Sequence, residues 1–317
     1  NKQVERKLLL DLLLHFREII NLNNYTYLGM GSVFYYDFIL VHRVLGLNKL
    51  ISIDSKETVK RFNFNKPYDF IDFENITTTK YLAKYDWQKN NSIIWLDYDS
   101  QFSKGADSII NDIKILAKNC VKNDLVFLTV NTYPLQENQK QAFLDKYAQY
   151  ISVEFNKLSF TSKNNFPRLI QNIIHNVFIS ENLYNKFRYN KICSFLYSDG
   201  ALMFTLGCFF TDDKEQLKKV KKLHPCISFS PTNIQTIEIP HITYKEKHYL
   251  DSNIIQLTKW VRYYSRKVKK TEPNEELAKK KVEEILNQKM EIELNLSQIK
   301  NYIENYRFMP QYYEGMI

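Results

Sequence analysis

Glycine is rare in this chain, at seven residues in 317. A backbone this poor in glycine keeps it for places that other residues cannot serve. Two of the seven, Gly29 and Gly31, fall together in Tyr27-Leu28-Gly29-Met30-Gly31-Ser32. Cysteine is rarer still. Cys120, Cys193, Cys208 and Cys226 show no Cys-x-x-Cys spacing and two of them sit inside apolar runs, which predicts ordinary buried thiols in a reducing, cytoplasmic setting. Long apolar runs are missing as well. The stretch 201–210 is too short to span a bilayer and 8–14 carries Asp11 at its centre, so no membrane anchor is expected, and no secretory signal is visible. The six histidines show no His-x-His or His-Glu-x-x-His spacing, and Gly-x-Ser-x-Gly and Walker A segments are absent. Zinc enzymes, serine hydrolases and P-loop NTPases therefore have no support.

What is present begins with 44% hydrophobic residues, enough for a sizeable core. The formal charge of +9 fits an anionic partner, and equally a general bias toward Lys, Asn, Ile and Tyr. The glycine pair lies between a short apolar run at 26–29 and a helix-like run. A strand that turns through Gly-x-Gly into a helix lets backbone N–H groups approach a ligand closely. A second apolar run, 50–54, ends in Asp54, the place where α/β folds grip a ribose diol. The interval fits one helix and one turn, with Phe34, Phe38, Ile39, Val41 and Leu45 available to pack on the sheet. A dinucleotide fingerprint needs a small residue where Phe34 stands, so the pattern fits an adenosyl cofactor better. The plain alternative is a tight turn with a solvated Asp54 at a strand end.

Further strands are predicted at 69–73, 93–97 and 124–130, and helices at 4–20, 103–119, 135–149 and 167–186. Alternation of this kind predicts an α/β fold with a mostly parallel sheet covered on both faces. Runs at 192–197 and 201–210 flank Ser198-Asp199-Gly200 and read as a hairpin. A helix at 213–223 follows, then a connector marked by Pro231 and Pro240, then helices over 243–268, 273–290 and 297–306. The expected division is a domain at 1–235 and a C-terminal helical appendage at 236–317, too small to be stable unless docked on the core or on a second copy of the chain.

Residues 20 to about 212 resemble the class I (Rossmann-like) S-adenosylmethionine-dependent methyltransferases, and among them prokaryotic proteins labelled O-methyltransferases. The resemblance is carried by Leu28-Gly29-Met30-Gly31-Ser32, by Asp54, by Asp72, by Trp95-Leu96-Asp97-Tyr98-Asp99 and by the terminal hairpin. It implies a mostly parallel seven-stranded sheet with helices on both faces, closed by an antiparallel hairpin, and S-adenosyl-L-methionine as cofactor. The cofactor would lie against Leu28, Gly29, Met30, Gly31, Ser32, Asp54 and Ser55, with Asp72 and Phe73 beside the adenine and Tyr98 as a further stacking surface. Asp97 would meet the substrate or the cofactor amine, and Asp99 would be its partner or base; these two are the candidate catalytic residues.

The chain departs from the family at Tyr27, where an acidic residue is usual, and at Ser32, where a third glycine is usual. Asp97-Tyr98-Asp99-Ser100 replaces the Asp-Pro-Pro-Tyr motif of amide methylases and points to oxygen as the acceptor. Asp97 with Asn131 echoes the magnesium ligands of catechol-type O-methyltransferases, although Val130 stands where those enzymes have a second ligand. Asn131 capping a turn before Pro134 is the structural alternative. Two rival functions follow. Tyr27 and Ser32 fit a catalytically silent methyltransferase-shaped scaffold, such as one in bacterial defence. Lys259, Arg262, Arg266, Lys267, Lys269 and Lys270, interleaved with Trp260, Tyr263 and Tyr264, fit a nucleic-acid binder, or else a helix with rings inward and cations outward. Tyr302, Tyr306, Phe308, Tyr312 and Tyr313 need a docking surface.

Overall fold

The computed structural model describes residues 1–55, 59–153, 155, 162–163, 165–290 and 292–309, so Tyr312 and Tyr313 lie outside the described residues. The chain forms two compact units, Leu9–Gln235 and a second made of Asn1–Leu8 with Thr236–Ile317.

The chain opens with α1 (Lys2–Phe16), which crosses the boundary between the units. The larger unit then runs β1 (Thr26–Met30), α2 (Tyr36–Leu45), β2 (Lys49–Asp54), α3 (Val59–Asn65), β3 (Ile71–Asn75), α4 (Thr78–Lys84), β4 (Ser92–Gln101), α5 (Phe102–Asn119) and β5 (Leu125–Asn131). After these come α6 (Lys140–Tyr147), α7 (Phe166–Asn182), β6 (Tyr189–Ser198), β7 (Leu202–Phe210) and α8 (Lys214–Leu223). The strand order is β3-β2-β1-β4-β5-β7-β6, with the three-residue β8 (Gln235–Ile237), which straddles the boundary of the units, as an eighth strand beside β6. β1 to β5 pair in parallel, and β7 runs antiparallel to both β5 and β6. This is the class I methyltransferase architecture, one strand larger than expected. β8 falls in the proline-flanked connector, which Pro231 and Pro240 bracket without interrupting.

Burial on both faces explains the sequences of the central strands. On one face Leu28, Ile94, Leu96, Val126, Leu128 and Leu206 join Ile109 and Ile113 of α5 and Ile170 and Ile174 of α7 in one core. On the other, Tyr27 meets Phe38 of α2 edge to face, at 5.2 Å between centroids, and Phe16 of α1 packs on Phe209 of β7 at the same distance. α5 is helical because Ala106, Ile109, Ile110, Ile113, Leu116 and Ala117 recur on one side. Pro167 occupies the first turn of α7, where no N–H is needed. The hairpin between β6 and β7 turns through Gly200 at φ 69°.

The smaller unit carries α9 (Tyr244–Ser252), α10 (Ile254–Lys269), α11 (Glu275–Met290) and α12 (Leu296–Asn305). The single helix expected over 243–268 is two. Asn253 closes α9: its N–H reaches the Tyr249 and Leu250 carbonyls, and its side-chain amide also donates to Tyr249. No helix among the described residues is long and apolar enough to cross a membrane.

Two buried carboxyl groups tie the larger unit together. Asp124, just before β5, accepts hydrogen bonds from the N–H groups of Ser92 and Val121, each at 2.8 Å, and from Asn91 Nδ2 at 3.3 Å. Asp112 of α5 accepts from Tyr98 at 2.6 Å and from Thr79. Burial raises both, and Asp124 is pushed up to about 7. A carboxyl whose folded value is raised stabilises the fold fully below its unfolded value near 4 and loses that contribution as pH climbs through 7. For Asp124 the span corresponds to roughly 4 kcal/mol. The thermal midpoint is expected to fall between pH 4 and pH 8, and Asp124→Asn is expected to flatten that decline whatever its effect on the acid baseline. Circular dichroism melts at unit pH intervals check this; an unchanged slope in Asp124→Asn would assign the pH dependence elsewhere.

Candidate functional site

The site is built on the carboxyl ends of β1, β2 and β4. Gly29 pairs with Ser52 on one side and Trp95 on the other. The Gly31 N–H donates to the Ile53 carbonyl at 2.8 Å, carrying the β1–β2 ladder one step past the end of β1. Asp54, half-buried as the last residue of β2, is thereby set beside the bend. The chain then turns through a short loop in which Ser32 accepts from the N–H of Tyr35 and, through its hydroxyl, from that of Phe34. The N–H groups of Ser32 and Val33 have no partner among the described residues. They are donors available at the bend, as a ligand-binding glycine turn requires.

The glycines are needed for close approach and not for an unusual φ. A Cβ on Gly31 would run into the Ser52 hydroxyl and press on Phe62, and one on Gly29 would meet the ring of Tyr27. The left-handed residue of the turn is Tyr35, at φ 51°. This corrects the expectation for Phe34. Helix α2 starts only at Tyr36, so Phe34 is turned out to 64% exposure, stacked on Tyr36 at 5.6 Å, and never enters the helix–sheet interface. Phe38, Val41 and Leu45 do the packing. Tyr27, at the position where the family has an acid, is buried.

The remaining candidates divide. Ser55 follows Asp54 and is exposed. Asp72 is not at a strand end: β3 starts two residues later than expected, so Asp72 is its second residue, opposite Ile51 and exposed. The carboxyl end is held by Glu74, paired with Lys84 at 2.9 Å, and by Asn75, opposite Asp54. Phe73 is stacked on Phe62 at 4.1 Å, so that face of its ring is taken. β4 does not end at Asp97 but runs on to Gln101. Tyr98 continues the inward face of Ile94 and Leu96, and the pairing with β5 shifts register between Asp97 and Gln101. Asp97 is half-buried opposite Thr129 and Asp99 is exposed. Tyr98 is buried in the α5 core with its hydroxyl on Asp112, which removes it as a stacking surface for a cofactor.

Asn131 closes β5 and accepts from the Tyr133 N–H at 2.9 Å, the turn cap before Pro134. Beneath Asp97 lies a buried polar row that sequence reading missed: Trp95 Nε1 donates to Thr129 at 3.0 Å, and Thr129 and Thr205 share a hydrogen bond at 2.8 Å.

A second cluster also escaped the spacing rules because one member is remote in sequence. Asp11 and His15, one turn apart on α1, meet His224, with candidate ligand atoms within 4.8 Å of one another. The Cys226 N–H donates to His224 Nδ1 at 3.2 Å, which leaves the proton on Nε2, 2.9 Å from Asp11 Oδ2. A cation at Nε2 would require a proton on Nδ1, facing that N–H. The arrangement is therefore a hydrogen-bonded pair, with the Cys226 thiol 2.9 Å from the same Nδ1.

The full chain, residues 1–317, matches the profile of a family described as "Putative O-methyltransferase". No curated protein matches it. Among solved structures it is similar to Trm1 from Pyrococcus horikoshii in complex with S-adenosyl-L-methionine, at 11% identity and a TM-score of 0.46, covering 69% of this chain and 57% of that one. The chain thus spans little more than half the length of that protein. It is also similar to a structure described as a "putative S-adenosylmethionine dependent methyltransferase" from Listeria monocytogenes, at 12% identity and a TM-score of 0.38, covering 64% and 99% of the two chains. For the N-methyltransferase NodS from Bradyrhizobium japonicum WM9 the values are 7%, 0.37, 67% and 98%. At these scores the likeness says nothing about acceptor or substrate.

Gly31→Ala is expected to destabilise the larger unit by about 1–3 kcal/mol, the usual cost of overpacking. The buried Ser52 hydroxyl makes no hydrogen bond of normal geometry among the described residues, with the Tyr35 hydroxyl as a polar neighbour, so Ser52→Ala removes the clashing atom at little cost. The double variant Gly31→Ala/Ser52→Ala is expected to recover part of the loss in urea denaturation; strict additivity of the two single effects would show that the glycine serves another purpose.

Proposed function

Because the chain belongs to the O-methyltransferase family whose profile it matches throughout, we propose that it transfers a methyl group from S-adenosylmethionine to an oxygen nucleophile. The observation that carries this reading is the adjacency of the Gly31 bend and Asp54 on the ladder between β1 and β2. The residues fit an adenosyl group. The N–H groups of Ser32 and Val33, without partners among the described residues, are offered at the bend, and Asp54 stands at the strand end where α/β folds hold a ribose diol. Leu28, Gly29, Met30, Gly31 and Ser32 would line the cofactor, with Ser55 at the ribose edge.

When bound, S-adenosylmethionine supplies an electrophilic methyl group. The chain's own part is to place the nucleophile and take up its proton. Asp97 and Asp99 lie toward the carboxyl end of β4, where ligands of open α/β sheets collect, the first half-buried and the second exposed. Asp97 would orient an acceptor hydroxyl, and the more exposed Asp99 would hold its proton. A hydroxyl acceptor suits two carboxylates better than an amide nitrogen does, since the proline-shaped loop of amide methylases is absent. All four cysteines are free and buried, in keeping with a reducing cytoplasm.

One observation favours a second reading. The buried ring of Tyr27 covers Gly29 where the family has an acid for the methionine amine, which fits a scaffold that has lost turnover. Calorimetry separates the two. S-adenosylmethionine or its demethylated product is expected to bind at micromolar affinity, and Asp54→Ala to weaken it at least tenfold, about 1.4 kcal/mol. Folded protein that gives no heat with either ligand would leave only the scaffold.

A further inference from the structure

The smaller unit distributes its charge unevenly. α11 carries four acidic residues and four lysines, and Lys279 and Lys281 are paired with Glu275 and Glu272 at 3.2 and 2.6 Å. α10 has no acidic residue at all. Its cations are Lys259, Arg262, Arg266, Lys267 and Lys269, with Lys270 at the cap, and every one of them is exposed. Among the described residues none of the six enters an ion pair.

At 3.6 residues per turn these cations share one side of α10, opposite the buried Leu257, Val261 and Val268. Cations in a last turn are commonly explained by the helix dipole, which favours positive charge at the C-terminus. That accounts for Arg266, Lys267 and Lys269 and not for Lys259 and Arg262, which lie mid-helix. The aromatic residues separate likewise. Trp260 and Tyr264 are half-buried beneath Lys289 of α11, whose Nζ is 5.4 and 5.7 Å from their ring centroids. Tyr263 stands out among the cations at 58% exposure.

We propose that this face of α10 binds a single-stranded nucleic acid, its cations on the phosphates and Tyr263 stacked on a base. The chemistry is that of strand-tracking surfaces, in which a cationic row follows the backbone and a ring accepts a base regardless of sequence. An anionic membrane would attract the same charge, but a helix lying on lipid turns its large apolar residues to the bilayer. Here those residues are buried within the unit, and only Ile255 joins Tyr263 on the outer side. The proposal stands independently of the methyl-transfer reading.

Fluorescence anisotropy with a labelled 20-nucleotide single-stranded RNA and the full chain tests it. Six phosphate contacts give a log–log salt slope of about −4, at roughly 0.7 per contact. The double variant Arg262→Glu/Arg266→Glu is expected to lose at least tenfold in affinity and to flatten the slope by about 1.4. Tyr263→Ala is expected to lose several-fold with its slope unchanged. Lys221→Glu/Lys222→Glu on α8, the same charge change on exposed lysines of the other unit, is expected to stay within twofold of the parent. If the charge-reversed protein does not melt cooperatively, Arg262→Gln/Arg266→Gln replaces it. Equal losses in the α10 and α8 variants, a slope insensitive to the α10 change, or binding to phosphatidylserine vesicles without binding to RNA would each overturn the proposal.

Discussion

One row of side chains across the sheet constrains everything built on it. In register, Ser52, Gly29, Trp95, Phe127, Gly207 and Cys193 run across six neighbouring strands on the face that carries α1 and α2. Large rings occupy the middle, and small residues must flank them. A Cβ on Gly207 would enter Phe127 and the Cys193 thiol, just as one on Gly29 would meet Tyr27. Interiors are packed to crystal-like density, so such a row allows little substitution in either direction. This is why a chain with so few glycines spends two of them inside strands, where glycine otherwise weakens the sheet.

The geometry of the candidate site follows from that packing. With Gly29 and Ser52 both small, β1 and β2 can approach, and the next glycine continues their ladder to Ile53. The bend then opens beside Asp54 and not one residue earlier or later. Tyr35 takes the left-handed conformation at the turn, which costs a non-glycine residue of order 1 kcal/mol or more. Its buried ring, edge-on to both Phe38 and Phe62, offsets that cost. A short loop results whose Ser32 and Val33 N–H groups have no partner among the described residues.

Much of this was legible in the sequence because burial imposes periodicity. The apolar runs of β1, β2, β4 and β5 and the 3.6-residue pattern of α5 gave the alternation, and Gly29 and Asp54 fall on adjacent strands as that alternation implies. What was not legible depends on local terminations. β3 is shifted because Asp69 and Phe70 are spent on the approach to the strand, and nothing in Asp69-Phe70-Ile71-Asp72-Phe73 distinguishes one register from the next. Phe34 was misplaced because a left-handed tyrosine carries no sequence signal. The Asp11–His224 pair joins segments more than 200 residues apart, beyond the reach of spacing rules.

The length of β4 decides which groups face the crevice. Had the strand stopped at Asp97, Asp97, Tyr98 and Asp99 could all have turned toward a ligand. Because it continues, Tyr98 is committed to the α5 side, where its hydroxyl meets Asp112, while Asp97 is half-buried and Asp99 exposed. The pairing of β4 with β5 shifts register between Asp97 and Gln101, a bulge of the kind that re-aims side chains beside active sites. The Tyr98–Asp112 hydrogen bond pins the strand at that irregularity. A bond made inside the α5 core thus holds the stretch of β4 that carries Asp97 and Asp99.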